Sequence, residues 1–185
     1  MSVANEARTR APGRLVRRGL SADYPAVREV VSAAYSGYRR FIPPEILPAY
    51  FADLLDIQRH ARHGRLVVAE LGGRISGSAS FYRDISEQGL GWPAGWAGGR
   101  GMAVHPDASG QGIATALLGE FERLSRRIGA PVFAFHTASF MTGAIALYNR
   151  LGYRRAPEFD LDLNAYYGTD GAWPMSAIAY RRDLI

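Results

Sequence analysis

A glycine-bearing loop near the middle of the chain has the residue pattern of a phosphate-binding site. It follows a strand-like apolar run that ends at Val104, and an amphipathic helical pattern begins after it. The first N–H groups of a helix lack intrahelical partners and mark the positive end of its dipole, so they would bind a diphosphate. An ordinary strand-to-helix turn is the alternative. The loop residues are Ser109, Gly110, Gln111, Gly112, Ile113, Ala114 and Thr115.

Two other nucleotide-binding loops do not fit these residues. A Walker A loop requires a Gly-Lys pair, and the chain contains no lysine. The Rossmann fingerprint requires a glycine where Thr115 stands and an acidic residue about twenty positions further on. The segment 130–132 supplies no acid. The loop therefore indicates a phosphate ligand of a different class.

Tyr148 is a second group capable of chemistry, in the segment AIALYNRLGY over residues 144–153. Ala144, Leu147 and Leu151 recur with helical spacing and form an apolar stripe. Tyr148 lies at the edge of that stripe, about 100° around the helix from Leu147. This position suits a buried ring whose hydroxyl reaches a cleft, and it equally suits a core tyrosine whose hydroxyl is satisfied within the fold.

Taken together, the loop and the tyrosine segment resemble the GNAT acyltransferase family, which uses acetyl-CoA. The family's loop reads Gln/Arg-x-x-Gly-x-Gly/Ala, and Gly112 and Ala114 match its last two anchor positions. Ser109 stands where the family has Gln or Arg. Residues 144–153 match the family pattern A-x-x-L-Y-x-x-x-G-Y/F along their length, while Met141 stands where the family often has Asn.

The resemblance implies a role for each of these residues. Met102, Ala103 and Val104 would pair with the pantetheine arm as an added strand, and a backbone N–H near Ala103 or Val104 would polarise the thioester carbonyl. Met141 would contribute a further cofactor contact. Tyr148 would protonate the departing CoA thiolate, because a phenol with a pKa of about 10 can donate to a thiolate of comparable basicity. The acetyl group would then pass directly to a primary amine in a ternary complex.

The base that deprotonates the amine is the open part of this mechanism. Many relatives keep a glutamate on the strand before the CoA-contacting residues, whereas the segment 97–101 here reads AGGRG. His136, in the strand FAFHTA, is the best-placed candidate, with a hydrogen-bonded structural role as its alternative. A water chain is one further candidate, and the remaining side-chain candidates are Asp84, Glu87 and His105.

The acceptor is expected to be a small-molecule or peptide amine. Arg100 is a candidate to hold an acceptor carboxylate, or it is an exposed strand residue. Several aromatic residues either line the site that binds the acceptor or pack within the fold without contacting it. They are Tyr35, Tyr38, Phe41, Trp92, Trp96, Tyr166, Tyr167 and Trp173.

The order of the elements predicts a mixed sheet with helices on both faces. The resemblance implies an α/β (α+β) fold of the GNAT type, whose sheet would be mostly antiparallel and splayed, with about six to seven strands. A disordered lead is expected over residues 1–13, followed by a single domain over 14–185. The predicted strands cover 14–20, 65–71, 74–82, a segment ending at 104, 131–138, 153–163 and 176–183. The predicted helices run to about residue 35 and over 44–62, 111–128 and 142–151, and 84–100 is expected to be irregular.

Composition bounds the remaining function classes. The 185 residues carry a net charge of +5 from 22 basic residues, all of them arginine, and 17 acids. The arginines are dispersed, so nucleic-acid binding is not expected. No apolar run approaches the ~18–20 residues of a membrane span, and no signal peptide is recognisable, so a cytoplasmic location is the default expectation. No metal site is expected, because there is no cysteine and no His and acid grouping has metal-ligand spacing.

The sequence also leaves open a function other than catalysis. The departures at Ser109 and Met141, together with the missing strand glutamate, motivate a non-catalytic CoA-binding or regulatory module. The resemblance leaves a homodimer open for either class.

Overall fold

The computed structural model describes residues 9–11, 13–169 and 176–185. The strands of the described residues are β1 (Thr9–Ala11), β2 (Arg14–Arg18), β3 (Arg65–Leu71), β4 (Arg74–Tyr82), β5 (Ala97–Val104), β6 (Val132–Ala138), β7 (Arg154–Arg155), β8 (Leu161–Asp162) and β9 (Ser176–Asp183). The α-helices are α1 (Tyr24–Ser36), α2 (Leu47–Leu55), α3 (Ile57–His63), α4 (Ile113–Arg127), α5 (Thr142–Arg150) and α6 (Leu163–Tyr167). No helix in these residues is both long and apolar enough to cross a membrane.

The strands form one sheet in the order β1-β2-β3-β4-β5-β6-β9-β7, with β8 also pairing β9. Every neighbouring pair is antiparallel except β5 and β6. The predicted fold class is confirmed, although the described residues contain nine strands rather than six to seven. Part of the excess arises because Pro157 opens a short 3-10 turn over Pro157–Phe159, which divides the predicted strand 153–163 into β7 and β8.

Another additional strand lies within the predicted N-terminal lead. Thr9–Ala11 pair with β2 through an antiparallel register. The disorder expected for residues 1–13 stays a prediction. The turn between the two strands contains Gly13 at φ +78°. The other residues expected in the lead, 1–8 and 12, lie outside the described residues, as does Trp173.

The sheet splays between β5 and β6. These strands pair only at Ala97↔Phe133 and Gly98↔Ala134. The β4–β5 register shifts between Ser78 and Ser80, and Gly101 on the opposite strand has φ +62°. The shift is that of a β-bulge, which bends a strand away from its former direction. The second half of β5 therefore presents an edge to β6 without pairing with it.

Helices cover both faces of the sheet, as predicted. On β3, Val67 and Ala69 belong to the apolar cluster that contains α4, whereas Leu66 and Val68 belong to the cluster that contains α1. Successive side chains of a strand point to opposite faces, so α4 lies on one face and α1 on the other. Phe51 of α2 joins the second cluster. Two separate cores thus meet at the splayed strands.

One predicted helix, 44–62, is divided in the structure. Asp56 between α2 and α3 has φ −79° and ψ +64°, and its carboxylate accepts a hydrogen bond from the Arg59 N–H at 3.0 Å. An aspartate that caps a new helix competes with continuation of the old one. The first helix therefore ends at Leu55, and the second begins at Ile57.

The segment predicted to be irregular, 84–100, is shorter than expected. It includes the short 3-10 turn Ile85–Gln88, and β5 begins already at Ala97. Gly98 and Gly99 pair with β4 through their backbone groups, which a side-chain pattern does not reveal. The hairpin at Gly72-Gly73 forms as predicted, with φ values of +57° and +80°.

Candidate active site

A cleft of about 550 Å³ opens where β5 and β6 separate. Residues from both faces of the sheet line it, because the splay connects the two faces. The cleft brings together all but one of the site residues proposed from the sequence; the lining residues are Met102, Ala103, Val104, Ser109, Gly110, Gly112, Ile113, Ala114, Thr115, His136, Met141 and Tyr148.

The loop before α4 presents backbone donors to this cleft. Gly110 and Gly112 adopt φ of +73° and +75°, and Gly112 is the N-cap of α4. Ser109 and Gln111 use their N–H groups within the loop, on Pro106 O at 3.0 Å and Ala108 O at 3.3 Å. In contrast, the following residues donate no backbone hydrogen bond to any described residue: Gly110, Gly112, Ile113, Ala114 and Thr115. This arrangement suits an anion such as a diphosphate.

Gln111 is the predicted site residue that does not line the cleft. Its side-chain Nε2 donates to the Asp107 carbonyl at 3.1 Å, and its own carbonyl accepts a hydrogen bond from Arg14 Nη1 at 2.9 Å. The contacts of Gln111 therefore stabilise the loop, although its side chain does not border the cleft. Sequence analysis missed Arg14 because 97 positions separate it from Gln111.

The free edge of β5 is the second element of the site. The His105 N–H donates to Ser76 O at 2.8 Å, which turns His105 toward β4. Alternation along an antiparallel strand then directs the backbone groups of Ala103 toward β4 and those of Met102 and Val104 toward the cleft. Of the two candidate N–H groups, Val104 is thus the one left free. The Met102 carbonyl accepts a hydrogen bond from the Tyr35 hydroxyl at 3.0 Å.

Tyr148 lies on α5 with its ring packed into the core and 6% of its surface exposed. Its ring meets Phe135 edge-on at 4.6 Å between centroids. Burial raises the pKa of Tyr148 to about 12, against the opposing effect of a hydrogen bond with the Thr137 side chain. The phenol is therefore protonated at neutral pH and able to donate. The Thr137 hydroxyl also lies 3.6 Å from the Met141 sulfur, which places Met141 beside the tyrosine.

His136 is half-buried on β6 and is held in a defined orientation. Its Nε2 lies 2.7 Å from the Phe159 carbonyl, and its ring packs on Trp92 at 4.4 Å between centroids. Because a carbonyl only accepts, Nε2 carries the proton and Nδ1 is left as an acceptor. Burial lowers the pKa of His136, so the neutral imidazole predominates at pH 7.

His136 and Tyr148 approach the cleft from opposite faces of the sheet. Phe135, which packs on Tyr148, precedes His136 on β6, so the two side chains point to opposite faces. A group bound on the α4 and α5 face would meet the tyrosine, and a group bound on the other face would meet the histidine. This separation suits an acid and a base that act on two different reactants.

A model of the acetyltransferase (GNAT) family matches residues 26–153. The chain belongs to the GNAT acetyltransferase family. The matched segment contains the loop, the free edge of β5 and Tyr148. Acetyl-CoA is the cofactor that GNAT enzymes use.

Solved GNAT structures share this fold at low sequence identity. An N-acetyltransferase from Staphylococcus aureus Mu50 has a TM-score of 0.65 at 20% identity, over 93% of this chain and 99% of that chain. The PaiA N-acetyltransferase from Thermoplasma acidophilum, in complex with coenzyme A, gives 0.67 at 12% identity over 92% and 98%. YncA from Salmonella typhimurium, with its cofactor acetyl-CoA, gives 0.60 at 20% identity over 94% and 95%.

The other candidate bases of this GNAT domain do not line the cleft. Asp84 binds the Ser86 hydroxyl at 2.6 Å and the Gly95 N–H at 2.8 Å, and these hydrogen bonds lower its pKa. Glu87 is exposed on the same segment. His105 Nδ1 accepts the Asp107 N–H at 3.3 Å on the outer side of the loop. Each has a structural or solvent-facing position because its local turn directs it away from the splay.

The cleft on the GNAT domain's α1 and α2 face is lined by aromatic rings and one ion-pair cluster. Most of the predicted aromatic residues take part, namely Tyr35, Tyr38, Trp92, Tyr166 and Tyr167. Phe41 does not, because it stacks on Phe140 at 5.4 Å, and Trp96 packs behind Trp92 at 6.1 Å. Arg100 also lines the cleft and lies 3.3 Å from Asp53, which sequence analysis did not single out.

Proposed function

We propose that this protein moves an acetyl group from acetyl-CoA to a primary amine by direct attack in a ternary complex. The proposal rests on one observation: the free N–H groups of the α4 loop, the unpaired edge of β5 and Tyr148 all border the same cleft. Each of these features would have a role in the transfer.

The residues present fit the cofactor in two places. The backbone donors at Gly110 and from Gly112 to Thr115 would hold the diphosphate without any side-chain cation. Diphosphate binding would therefore not depend on the Gln or Arg side chain that Ser109 replaces. The Met102 N–H and the Val104 carbonyl would hold the pantetheine amides in the manner of an added strand. Met141 would close this part of the cleft with its apolar side chain.

Acetyl-CoA supplies the thioester whose carbonyl carbon the amine attacks. The Val104 N–H is the free donor at the β5 edge and would stabilise negative charge on the carbonyl oxygen. Tyr148 would donate its phenolic proton to the leaving sulfur. Its raised pKa keeps the phenol protonated at neutral pH, so the proton is available when the thiolate leaves.

His136 would take the proton from the amine. Its Nδ1 is the acceptor, since the Phe159 carbonyl fixes the proton on Nε2. The lowered pKa keeps the imidazole unprotonated at pH 7, which a general base requires. The position of His136 opposite Tyr148 gives the two proton transfers separate sites.

Calorimetric titration tests the cofactor site, and thiol release over a panel of amines tests the transfer. We expect acetyl-CoA and CoA to bind with similar micromolar affinity and NADH not to bind, because the recognised groups belong to the CoA part. Absence of CoA binding would contradict the proposal. Binding of acetyl-CoA without thiol release for any amine would instead support the non-catalytic module.

A further inference from the structure

Arg100 is fixed at the acceptor side of the cleft by two residues from different elements. Its Nη1 donates to Gln88 Oε1 at 3.0 Å, and its Nη2 lies 3.3 Å from Asp53 Oδ2. Gln88 belongs to the segment after β4 and Asp53 to α2, so the guanidinium spans the gap between them. Its side chain is 20% exposed and lines the cleft, and a guanidinium has five N–H donors, so these two contacts leave further donors for a ligand.

The one carboxylate beside Arg100 already has two cationic partners. Asp53 is the only carboxylate that lines the cleft in the described part of the chain, and it also forms an ion pair with Arg59. Arg59 in turn pairs with Asp56 at 3.6 Å, so the two guanidinium groups and two carboxylates of this cluster balance, and Asp53 is not free to bind a cationic acceptor. Burial is the largest cause of the lowered pKa of His136 and of His60, and the positive charge of Arg100 lowers both further.

This charge pattern disfavours a polycationic acceptor. A polyamine would require carboxylates along its length, and the cleft offers one that already has two cationic partners. An acceptor with its own carboxylate would instead use the remaining donors of Arg100, because a guanidinium matches a carboxylate in planar shape and donor spacing.

We propose that the acceptor is an amine bearing a carboxylate within a few bonds of its nitrogen, as in an α-amino acid, and that Arg100 binds this carboxylate. His136 and Arg100 lie on the same side of the cleft, so the amine can reach the imidazole while the carboxylate meets the guanidinium. Tyr50 and Tyr167, with ring centroids 6.4 Å apart, provide an apolar wall beside them for the remainder of the acceptor. This inference rests on the proposed acetyl transfer and specifies its substrate class.

The test compares each L-α-amino acid with its carboxamide, in thiol-release kinetics and in calorimetric binding to the CoA-saturated protein. We expect a preference of about ten- to a hundredfold for the carboxylate form of the best acceptor, as for other charge-assisted hydrogen bonds. Arg100→Met should remove this preference by raising KM or Kd for the amino acid, with little effect on the carboxamide. Arg100→Lys should restore part of it.

Arg59→Met is the matched control, because Arg59 also pairs with Asp53 but does not line the cleft. It should retain the preference, and all three variants should bind acetyl-CoA as the wild type does. An equal response to amino acids and carboxamides, or an undiminished preference in Arg100→Met, would overturn the inference.

Failure of the proposed acetyl transfer gives a different result. If acetyl-CoA binds and no amine is acetylated, the transfer is refuted, while calorimetry still measures the carboxylate preference. If only amines without a carboxylate are acetylated, the transfer stands and the role of Arg100 is refuted. If no amino acid binds or reacts, the proposed substrate class is refuted.

Discussion

The hydroxyl of Tyr35 donates a hydrogen bond to the backbone carbonyl of Met102 at a distance of 3.0 Å. Tyr35 is buried on α1, and Met102 follows the bulge at Gly101 on β5. The bond therefore joins a helix on the acceptor side to the strand edge proposed to hold the cofactor. It fixes the orientation of that edge at the point where β5 leaves β6.

Tyr35→Phe should loosen this edge while preserving the packed ring. We expect a loss of about 1 kcal/mol in the free energy of unfolding, since one buried carbonyl loses its partner. The Kd for acetyl-CoA should rise about three- to tenfold, because Met102 is then free to reorient. Calorimetry and urea denaturation measure the two effects. Tyr24→Phe is the control, since Tyr24 lies at the start of α1 away from the cleft. An unchanged Kd would show that the edge is held without Tyr35.

Gly112→Ala should impair the phosphate cradle. Its φ of +75° disfavours a side chain, and a Cβ atom there would clash with Arg14 Nη1. We expect an increase of about tenfold in the Kd for CoA, because either the loop or Arg14 must move. Gly119→Ala provides the control within α4, where a Cβ atom meets nothing within 4 Å and should stabilise the helix. Equal CoA affinity in both variants would contradict a cradle centred on Gly112.

His136 should determine the acid limb of the pH profile. Burial lowers its pKa below the usual value of 6.5, and a base acts only when unprotonated, so kcat/KM should rise with pH through that lowered pKa. His136→Gln should remove this limb and lower kcat by about a hundredfold or more. His63→Gln, at an exposed position on α3, should leave the profile unchanged. A persistent acid limb in His136→Gln would assign the base to another group.

His60 should make the fold sensitive to acid. Its Nδ1 accepts from the Tyr82 hydroxyl at 3.0 Å and its Nε2 donates to the Asp53 carbonyl at 2.9 Å, so both ring nitrogens are used in the neutral form. Burial lowers its pKa from 6.5 to about 4. The unfolded chain then binds the proton more readily, and stability present above pH 6.5 is lost as the pH falls toward 4.

We expect this group to contribute a loss of about 2 kcal/mol in the free energy of unfolding between pH 7 and 4.5. Urea denaturation of the wild type and of His60→Gln at the two pH values measures it. The variant should be less stable at pH 7 and lose less on acidification. Equal losses in the two proteins would show that other groups account for the acid sensitivity.

The sequence best predicted the structural features that depend on residues close together in the chain. The loop before α4, the helix of Tyr148 and the Gly72-Gly73 hairpin each depend on neighbouring residues, and all three form as predicted. The splay was expected from the family resemblance. Its local form is the bulge at Gly101 and the limited pairing of β5 with β6, which depend on backbone geometry that no side-chain periodicity encodes.

The contacts that the sequence did not reveal are those between distant segments. Arg14 reaches Gln111, Tyr35 reaches Met102 and Asp53 reaches Arg100, all across strands or helices that only the fold brings together. Asp53 in particular lacks a local signal, since a carboxylate on an amphipathic helix is usually a solvated residue.

The most direct test of the proposed mechanism is the kcat of Tyr148→Phe for the amine that the wild type acetylates fastest. We expect a decrease of about a hundredfold or more in kcat with little change in the Kd for acetyl-CoA, because the variant loses only the proton donor to the thiolate. Tyr153→Phe is the matched control, since its hydroxyl binds Glu122 at 2.6 Å outside the cleft. A kcat in Tyr148→Phe equal to that of the control would contradict the role assigned to Tyr148.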